Sequence, residues 1–443
     1  MKILLVYGNT YEFLSPPPVG ISLLTKPLQN AGHKVHVLDF MKVKDTDALL
    51  MSALKEHKPE IVGFSLRNMD NQNYKESKDF IPDYTRWVEI ANRTAPTIIG
   101  GSAVMSMPEE IFERVSPTYG MVGQGNKAFP MFLEELENRT SGFETPGIMW
   151  REDGIIRRNS GLQDGYDNGG TIDWSMIDHK RYRKSYFNCS IITKTGCPHK
   201  CLFCDVGTSF GSSWAPRSPQ AILEDLNRDA KEYKFNRLDY FFIDALFNEP
   251  LDWAKDLLET IIKSELKICF SVVIEPTNID REFARLLRQA GCLMVTSLLN
   301  SMDDEMLLRM RRPFTVGSVN RTFELFEAEH VNYMPQFLMG GPGETRATVL
   351  KNLSHLKRWK PLLTDAGYGL RIMPKAGLKE IALGEGVINE NTDLLKPTFY
   401  LSEELQNDKE WLDKQVKTLK RFRIGSLTQW ADWMIRSIAI RFQ

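Results

Sequence analysis

The sequence predicts an α/β protein in which two parallel-sheet domains follow one another. Short apolar runs alternate with segments of helical periodicity over residues 1–140, and the alternation resumes over residues 186–380. A turn-rich stretch separates the two halves, and 443 residues are too many for one ordinary domain. We therefore expect a doubly wound, Rossmann-like domain (1–140), a linker (141–185), a (β/α)6 partial TIM barrel (186–380) and a helical C-terminal region (381–443).

The first domain contains short β-rich runs that are apolar on both faces. These runs cover residues 2–7, 34–39, 61–65, 97–99 and 120–122. Helical periodicity follows the first run at residues 20–30 and the third at 80–93. Runs of this kind with crossover helices are typical of a parallel sheet covered on both sides.

The loops at the carboxyl ends of these runs are rich in glycine and amide side chains. Ligands of doubly wound sheets bind in the crevice beyond those ends. Any one loop is equally well explained by turn formation, but four at one edge favour a ligand site. The candidate binding residues are Pro18, Ser65, Arg67, Asn68, Gly100, Gly101, Ser102, Gly123, Gln124, Gly125 and Asn126.

The middle of the chain is rich in turn-forming residues. We interpret it as a linker with a possible small hairpin at Asp153 and Gly154. Six further strands are then predicted near residues 190–193, 240–243, 267–274, 293–299, 333–339 and 367–373. A partial barrel of about six βα units has its chemistry at the carboxyl ends of these strands.

Three of the six cysteines, Cys197, Cys201 and Cys204, fall in the loop after the first barrel strand. Three thiolates at this spacing can hold an iron-sulfur cluster and leave one iron without protein sulfur. A structural zinc site with His199 as the fourth ligand, or unliganded thiols, are the alternatives that spacing leaves open. The other cysteines, Cys189, Cys269 and Cys292, are predicted to be buried small hydrophobic residues.

Composition excludes several classes of protein. The 56 basic and 57 acidic residues give a net charge of −1, so we expect no nucleic-acid partner. No stretch approaches the roughly 20 apolar residues of a transmembrane helix. Six cysteines in so long a chain do not make a disulfide framework. These features predict a cytoplasmic protein without a membrane span.

The cysteine loop resembles that of the radical S-adenosylmethionine (SAM) superfamily, because it has the C-x3-C-x2-C spacing with aromatic Phe203 before the third cysteine. The chain is similar to the subgroup with an N-terminal cobalamin-binding domain, and the similarity extends from residue 1 to about 380. The supporting segments are residues 1–6, 31–35, 58–65, 99–101, 123–126, 242–248 and 340–345.

The resemblance implies three cofactors: a 4Fe-4S cluster, SAM and cobalamin. Cys197, Cys201 and Cys204 would hold the cluster, whose open iron would bind SAM. The residues at positions that contact SAM in the family are Phe203, Asp244, Asn248, Asn300, Gly340 and Gly341. The amide-rich loop residues of the first domain would contact cobalamin. A small-molecule substrate and a reductant such as flavodoxin or ferredoxin are the implied partners.

The resemblance also implies the reaction: one electron from the cluster cleaves SAM, and the resulting radical chemistry most often ends in methylation of an unactivated carbon. Rearrangement, cyclisation or C–C coupling without methyl transfer is an alternative, and a non-enzymatic cysteine metal site or redox sensor is another. The chain departs from the family pattern where Gln124 and Asn126 replace acidic residues, and where Asn300 replaces a frequent glutamate. It also lacks the D-x-H-x-x-G motif, so cobalamin would have no protein imidazole ligand.

Residues 402–443 have the pattern of helices with mixed charge. The last segment is amphipathic and could contact a substrate or a membrane surface. We favour a helix that covers the edge of the barrel, because amphipathic terminal helices are usually packing elements.

Overall fold

The computed structural model describes residues 1–12, 16–138, 142–161, 171–182, 189–233 and 239–421. The chain divides into two compact units. The first unit consists of Met1–Asn188 with Asp393–Pro397, and the second of Cys189–Thr392 with Thr398–Gln443. Among the described residues, no helix combines the length and the apolar character that crossing a membrane requires.

The first unit is built on a seven-stranded sheet. Its strands are β1 (Lys2–Tyr7), β2 (Lys34–Asp39), β3 (Ile61–Ser65), β4 (Thr97–Gly100), β5 (Tyr119–Met121), β6 (Ile148–Glu152) and β7 (Ile155–Arg158). The strand order is β2-β1-β3-β4-β5-β6-β7. The first five strands are parallel, and β6 and β7 join antiparallel. The predicted doubly wound parallel sheet is confirmed, with an antiparallel hairpin added at one edge.

The helices of the first unit begin with recognisable signals. They are α1 (Val19–Asn30), α2 (Thr46–His57), α3 (Ile81–Asn92), α4 (Ser102–Ser106), α5 (Pro108–Val115) and α6 (Gly125–Glu137). A short 3-10 helix (His179–Arg181) follows later in the chain. Asp45 caps α2 by accepting a hydrogen bond from the backbone N–H of Ala48, and α3 and α5 each carry proline in the first turn.

The predicted hairpin at Asp153 and Gly154 is present between β6 and β7. Both turn residues have positive φ, 49° and 80°, as the tight turn of a two-residue hairpin loop requires. Strand β6 pairs with β5, so the hairpin extends the first sheet. The parts of the predicted linker at residues 141, 162–170 and 183–185 lie outside the described residues.

The second unit contains a six-stranded parallel sheet, as expected for a (β/α)6 partial barrel. Its strands are β8 (Cys189–Ile192), β11 (Asp239–Ile243), β12 (Cys269–Ile274), β13 (Cys292–Leu298), β14 (Tyr333–Met339) and β15 (Asp365–Tyr368). They pair in chain order, so β8 and β15 are its edges. Two short antiparallel ladders join β9 (Lys194–Thr195) to β10 (Ala215–Pro216), and β16 (Leu370–Arg371) to β17 (Phe399–Tyr400).

Helices connect these strands. They are α7 (Val206–Ser209), α8 (Pro219–Glu232), α9 (Leu251–Lys263), α10 (Arg281–Gln289), α11 (Asp304–Arg309), α12 (Val316–Ala328), α13 (Arg346–Leu356), α14 (Leu378–Gly384), α15 (Glu403–Gln406) and α16 (Lys409–Arg421). Thr315 and Thr345 form capping boxes at the starts of α12 and α13, which satisfy otherwise unpaired N–H groups.

A C-terminal helix, α16, packs against β15 at one edge of the barrel sheet. The hydroxyl of Tyr368 donates to Asp413 at 2.7 Å, and Lys420 lies 3.5 Å from Asp365. Edge strands need such a cover because their backbone groups are unpaired. The last, amphipathic part of residues 402–443 was interpreted as a terminal helix, and everything after residue 421 lies outside the described residues.

Candidate active site

The cysteine loop runs from β9 to α7 and is shaped by close backbone approaches. Gly196 has φ of 76°, and a Cβ there would lie 2.0 Å from the carbonyl oxygen of Ser213. The backbone N–H of Cys197 donates to the carbonyl of Gly211 at 2.9 Å. Only glycine fits position 196, so the turn into the first cysteine is fixed by the backbone.

The three thiols of the loop are free and largely enclosed. Cys197 and Cys201 are 8% and 9% exposed, and Cys204 is half-buried. Burial raises the pKa of Cys197 to about 12 and that of Cys204 to about 11. A thiolate in such surroundings needs a compensating positive charge. A bound metal ion supplies that charge, and the coordinating thiol then loses its proton.

The number of thiols distinguishes between kinds of metal site. The loop supplies three sulfurs, those of Cys197, Cys201 and Cys204, whereas a structural zinc site normally takes four protein ligands. Because each thiolate of a cuboidal cluster binds a different iron, three thiols fit a cluster with one open iron better than a structural zinc site.

Backbone hydrogen bonds fasten the loop to the barrel. Leu202 donates to the carbonyl of Met310 at 3.0 Å, and Leu378 donates to the carbonyl of Leu202 at 2.8 Å. The loop is thus held by the turn after α11 and by the first residue of α14. Phe203, between the last two cysteines, is half-buried.

A buried charged pair lies beside Cys201. Arg312 is 4% exposed and lies 2.5 Å from Glu275, which is 1% exposed and follows β12 directly. Arg312 also donates to the sulfur of Cys201 at 3.2 Å. Neither carboxylate oxygen of Glu275 accepts a well-aligned hydrogen bond, and burial raises the pKa of this group.

Neither Glu275 nor Arg312 is among the site residues predicted from the sequence. The available signal was the position of Glu275, a charged residue immediately after an apolar strand at the end of the barrel where chemistry is expected. Charged residues in that position are seldom there for packing.

His199 belongs to a second polar group next to the cysteines. Its Nε2 lies 2.6 Å from Glu249, which also accepts a hydrogen bond from Thr277 at 2.6 Å. The hydrogen bond to Glu249 raises the pKa of His199. In the zinc alternative, His199 is the fourth ligand. In this structure it is engaged by a carboxylate, and one ligand atom from each of His199, Glu249 and Glu275 lies within 4.8 Å of the others.

Asp244, predicted to contact SAM, is fully buried after β11. One of its oxygens lies 3.3 Å from the Nζ atom of Lys194 and accepts a hydrogen bond from Thr193 at 2.6 Å. The other oxygen has no hydrogen-bond partner. Such an orphan oxygen suits a polar ligand that can donate to it.

Asn248, a second predicted SAM contact, is engaged by the backbone. Its amide donates to the carbonyl of Glu275 at 2.9 Å and accepts from the N–H of the same residue at 3.0 Å. Both ends of the side chain therefore fix the position of Glu275.

Asn300, predicted to lie at the ribose of SAM, is buried after β13 with φ of 65°. Its Nδ2 donates to the carbonyl of Leu338 at 3.2 Å, and its Oδ1 is unpartnered. The hydroxyls of Ser297 and Ser301 nearby in the chain are also buried without a partner. Buried polar atoms of this kind, like the free oxygen of Asp244, suit a ligand that completes their hydrogen bonds.

The predicted Gly340–Gly341 turn is held by a buried carboxylate. Glu344 accepts hydrogen bonds from the backbone N–H groups of both Gly340 and Gly341. Burial raises the pKa of Glu344 to about 7. Gly340 has φ of 101°, and a Cβ there would lie 2.5 Å from Leu401. The turn therefore requires glycine whether or not it binds a ligand.

In the first unit, the predicted loops follow the parallel strands β1, β3, β4 and β5, which are neighbours in the sheet. The loops after β3 and β4 are joined, because the hydroxyl of Ser102 donates to the carbonyl of Arg67 at 2.5 Å. A Cβ at Gly101 would lie 2.5 Å from the carbonyl oxygen of Leu66. The sheet edge thus collects most of the predicted binding residues, as a doubly wound fold does.

The comparisons with known proteins agree with this geometry. The family model for the radical SAM superfamily matches residues 191–356, and the model for the B12 binding domain matches residues 8–133. The chain thus carries a radical SAM domain and a B12-binding domain. The family resemblance predicted from the cysteine loop and the first-domain loops is confirmed.

The similarity to two known methylases is low in sequence identity but covers most of the chain. Tryptophan 2-C-methyltransferase of Streptomyces laurentii is 24% identical over 82% of this chain and 72% of its own length. Hopanoid C-3 methylase of Methylococcus capsulatus is 24% identical over 74% of this chain, and the chain spans 62% of that protein.

A solved structure shows the same fold. The radical SAM methyltransferase TsrM of Kitasatospora setae, with cobalamin and a 4Fe-4S cluster bound, superposes with a TM-score of 0.83 at 21% identity. The match covers all of this chain and 98% of that one. With a radical SAM domain and a B12-binding domain, the protein is an enzyme that uses a 4Fe-4S cluster, SAM and cobalamin.

Proposed function

We propose that this radical SAM enzyme transfers a methyl group from SAM to an unactivated carbon of a small-molecule substrate. The observation that carries the proposal is the presence in one chain of a C-x3-C-x2-C cysteine loop and a B12-binding domain. The two named relatives described above are both carbon methylases, which supports the same reaction.

Cys197, Cys201 and Cys204 are proposed to hold the cluster, and the barrel residues to bind SAM. The orphan oxygens of Asp244 and Asn300 support this assignment, because each is buried and lacks a donor. The proposed SAM contacts are Phe203, Asp244, Asn248, Asn300, Gly340 and Gly341.

Cobalamin is proposed to bind at the loop edge of the first sheet. Glycine there lets a bulky ligand approach the backbone, and amide side chains offer neutral hydrogen bonds to its amide fringe. The proposed contacts are Pro18, Ser65, Arg67, Asn68, Gly100, Gly101, Ser102, Gly123, Gln124, Gly125 and Asn126.

When bound, the cofactors supply one-electron and methyl-transfer chemistry that amino-acid side chains cannot perform. The described residues prepare the site. The Lys194–Asp244 pair joins the cysteine loop to the end of β11, and Asn248 fixes the backbone of Glu275. Their burial excludes water from this part of the site, and water would otherwise react with a reactive species formed there.

The proposed reaction needs a low-potential one-electron donor. Flavodoxin or ferredoxin is the proposed reductant, and the cytoplasm is the proposed compartment because free thiols and low-potential electrons persist there.

The proposal is tested by anaerobic turnover. Protein reconstituted with iron, sulfide and hydroxocobalamin is incubated with methyl-trideuterated SAM, titanium(III) citrate and L-tryptophan as the first probe substrate. We expect S-adenosylhomocysteine and a trideuteromethyl group on a carbon of a product, both dependent on cobalamin. The Cys201→Ala variant is the matched control and should form neither.

Formation of 5′-deoxyadenosine without S-adenosylhomocysteine across a panel of small-molecule substrates would contradict methyl transfer and support rearrangement, cyclisation or coupling. If both the cysteine variant and the cobalamin-free protein remained active, the assignment of both cofactor sites would be contradicted.

A further inference from the structure

The guanidinium of Arg312 reaches three acceptors from one buried position. Nη1 donates to the sulfur of Cys201 at 3.2 Å, and Nη2 donates to the carbonyl of Leu298 at 2.8 Å. Nη2 also lies 2.5 Å from the carboxylate of Glu275. The planar fork of arginine suits this arrangement, since its N–H groups point in fixed directions.

A contribution to folding stability does not by itself explain why Arg312 and Glu275 are buried as a charged pair. Buried ion pairs are costly to desolvate, and replacing both partners with apolar residues is often neutral or stabilising. Both side chains are almost fully enclosed, so their charges act on neighbouring groups with little screening by water. The neighbour toward which Arg312 directs an N–H group is a sulfur atom.

A backbone hydrogen bond connects the segment that contains Arg312 to the segment that contains Cys201. Leu202, next to Cys201, donates to the carbonyl of Met310, two residues before Arg312. The side chain of Arg312 also lies over the ring of Phe314, with 5.0 Å to the ring centroid. The N–H group is therefore aimed at the sulfur by two independent supports, the ion pair and the backbone turn.

The three cysteines of the loop differ in their contacts with Arg312. Among the described contacts, its guanidinium donates to the sulfur of Cys201 and to neither of the other two sulfurs. One sulfur of the loop thus receives this charged hydrogen bond.

We propose that Arg312 is a positioning residue for the cluster, which stabilises the reduced state through its hydrogen bond to the sulfur of Cys201. This inference rests on the proposed role of Cys201 as a cluster ligand. In the step concerned, one electron passes from a one-electron donor to the cluster, and no bond forms or breaks. Hydrogen bonds to the sulfurs of iron-sulfur clusters set their potentials, because they favour the more negative state.

The test is the midpoint potential of the bound cluster, measured by an anaerobic titration with dithionite followed by electron paramagnetic resonance. Arg312→Gln should make reduction harder by about tenfold in the equilibrium constant, or about 59 mV for a one-electron couple. Arg311→Gln is the matched control, because it removes the same charge from the neighbouring, exposed residue. We expect its potential to equal that of the wild type.

An unchanged potential in Arg312→Gln with a full complement of iron overturns the inference, and so does an equal shift in Arg311→Gln. If Arg312→Gln does not retain iron, Arg312→Lys is measured. A lysine keeps the charge but cannot reach all three acceptors, so a lower potential supports the inference and the wild-type potential overturns it. A wild-type protein that binds no cluster contradicts the proposed function instead.

Discussion

Lys194 and Asp244 form an ion pair at 3.3 Å in which neither side chain is exposed to solvent. The ammonium group of Lys194 also donates to the carbonyl of Phe247 at 3.0 Å and lies 4.5 Å from the ring of Trp253. Lys194 stands three residues before Cys197. The pair therefore fastens the start of the cysteine loop to the end of β11, where Asp244 is a proposed SAM contact.

Removing the lysine should destabilise the second unit. In Lys194→Met, the carboxylate of Asp244 stays buried without its cation, which typically costs about 3–5 kcal/mol. The free energy of unfolding is measured by urea titration followed by tryptophan fluorescence, to which Trp214 and Trp253 beside Lys194 contribute.

Two further variants control this experiment. Lys263→Met removes a fully exposed lysine that pairs with Glu259, and should leave the unfolding midpoint unchanged. Lys194→Met combined with Asp244→Leu should regain much of the lost stability, because no charge is left unpaired. If Lys194→Met alone were as stable as Lys263→Met, the buried pair would have no role in anchoring the loop.

Glu344 should make stability depend on pH. Burial raises its pKa from 4.5 to about 7 in the folded protein. Between these values the unfolded chain loses the proton while the folded protein keeps it, so stability falls as pH rises through this window. The shift corresponds to roughly 3 kcal/mol, all of it lost by about pH 7.

The measurement compares Glu344→Gln with the wild type in urea titrations at pH 5 and pH 8. Glutamine still accepts from the N–H groups of Gly340 and Gly341 but carries no charge. The stability of the variant relative to the wild type should therefore increase between the two pH values. If the stability difference between the variant and the wild type were the same at pH 5 and pH 8, Glu344 would not titrate as its burial implies.

Gly101 should be essential for corrinoid binding. Its φ is 109°, and a Cβ would lie 2.5 Å from the carbonyl oxygen of Leu66, so Gly101→Ala must displace the loop after β4. After reconstitution with hydroxocobalamin and gel filtration, the visible absorption of the variant should show at least about a tenfold loss of bound corrinoid, corresponding to 1.4 kcal/mol or more.

Gly32→Ala is the matched control for that variant. Gly32 also has positive φ, 85°, but no atom lies within 4 Å of its Cβ position. It carries the same backbone strain without the steric clash and should retain corrinoid. Equal binding by both variants would argue against a cobalamin site at this edge of the first sheet.

Much of the fold follows from local patterns in the sequence. The strands of both parallel sheets were predicted within a few residues, because each is a short apolar run and the helices between them have a different period. The cysteine loop was found by spacing alone. Turn residues likewise predicted the hairpin at Asp153 and Gly154.

Features that depend on contacts between distant segments were not predicted. The pairing of β6 with β5, which adds the hairpin to the first sheet, has no local signal. Glu275 and Arg312 belong to different βα units, and only the order of strands in the barrel brings them together beside Cys201. The backbone bonds of Asn248 to Glu275 are of the same kind.

The most direct test of the account is the metal content of protein purified and reconstituted without oxygen. We predict about four iron and four sulfide ions per chain, a 4Fe-4S signal in Mössbauer spectra, and loss of both when Cys197, Cys201 and Cys204 are replaced together by alanine. The Cys292→Ala variant, which alters a buried cysteine in β13, should keep the full complement. Protein that binds one zinc ion and no iron after reconstitution would contradict the central claim.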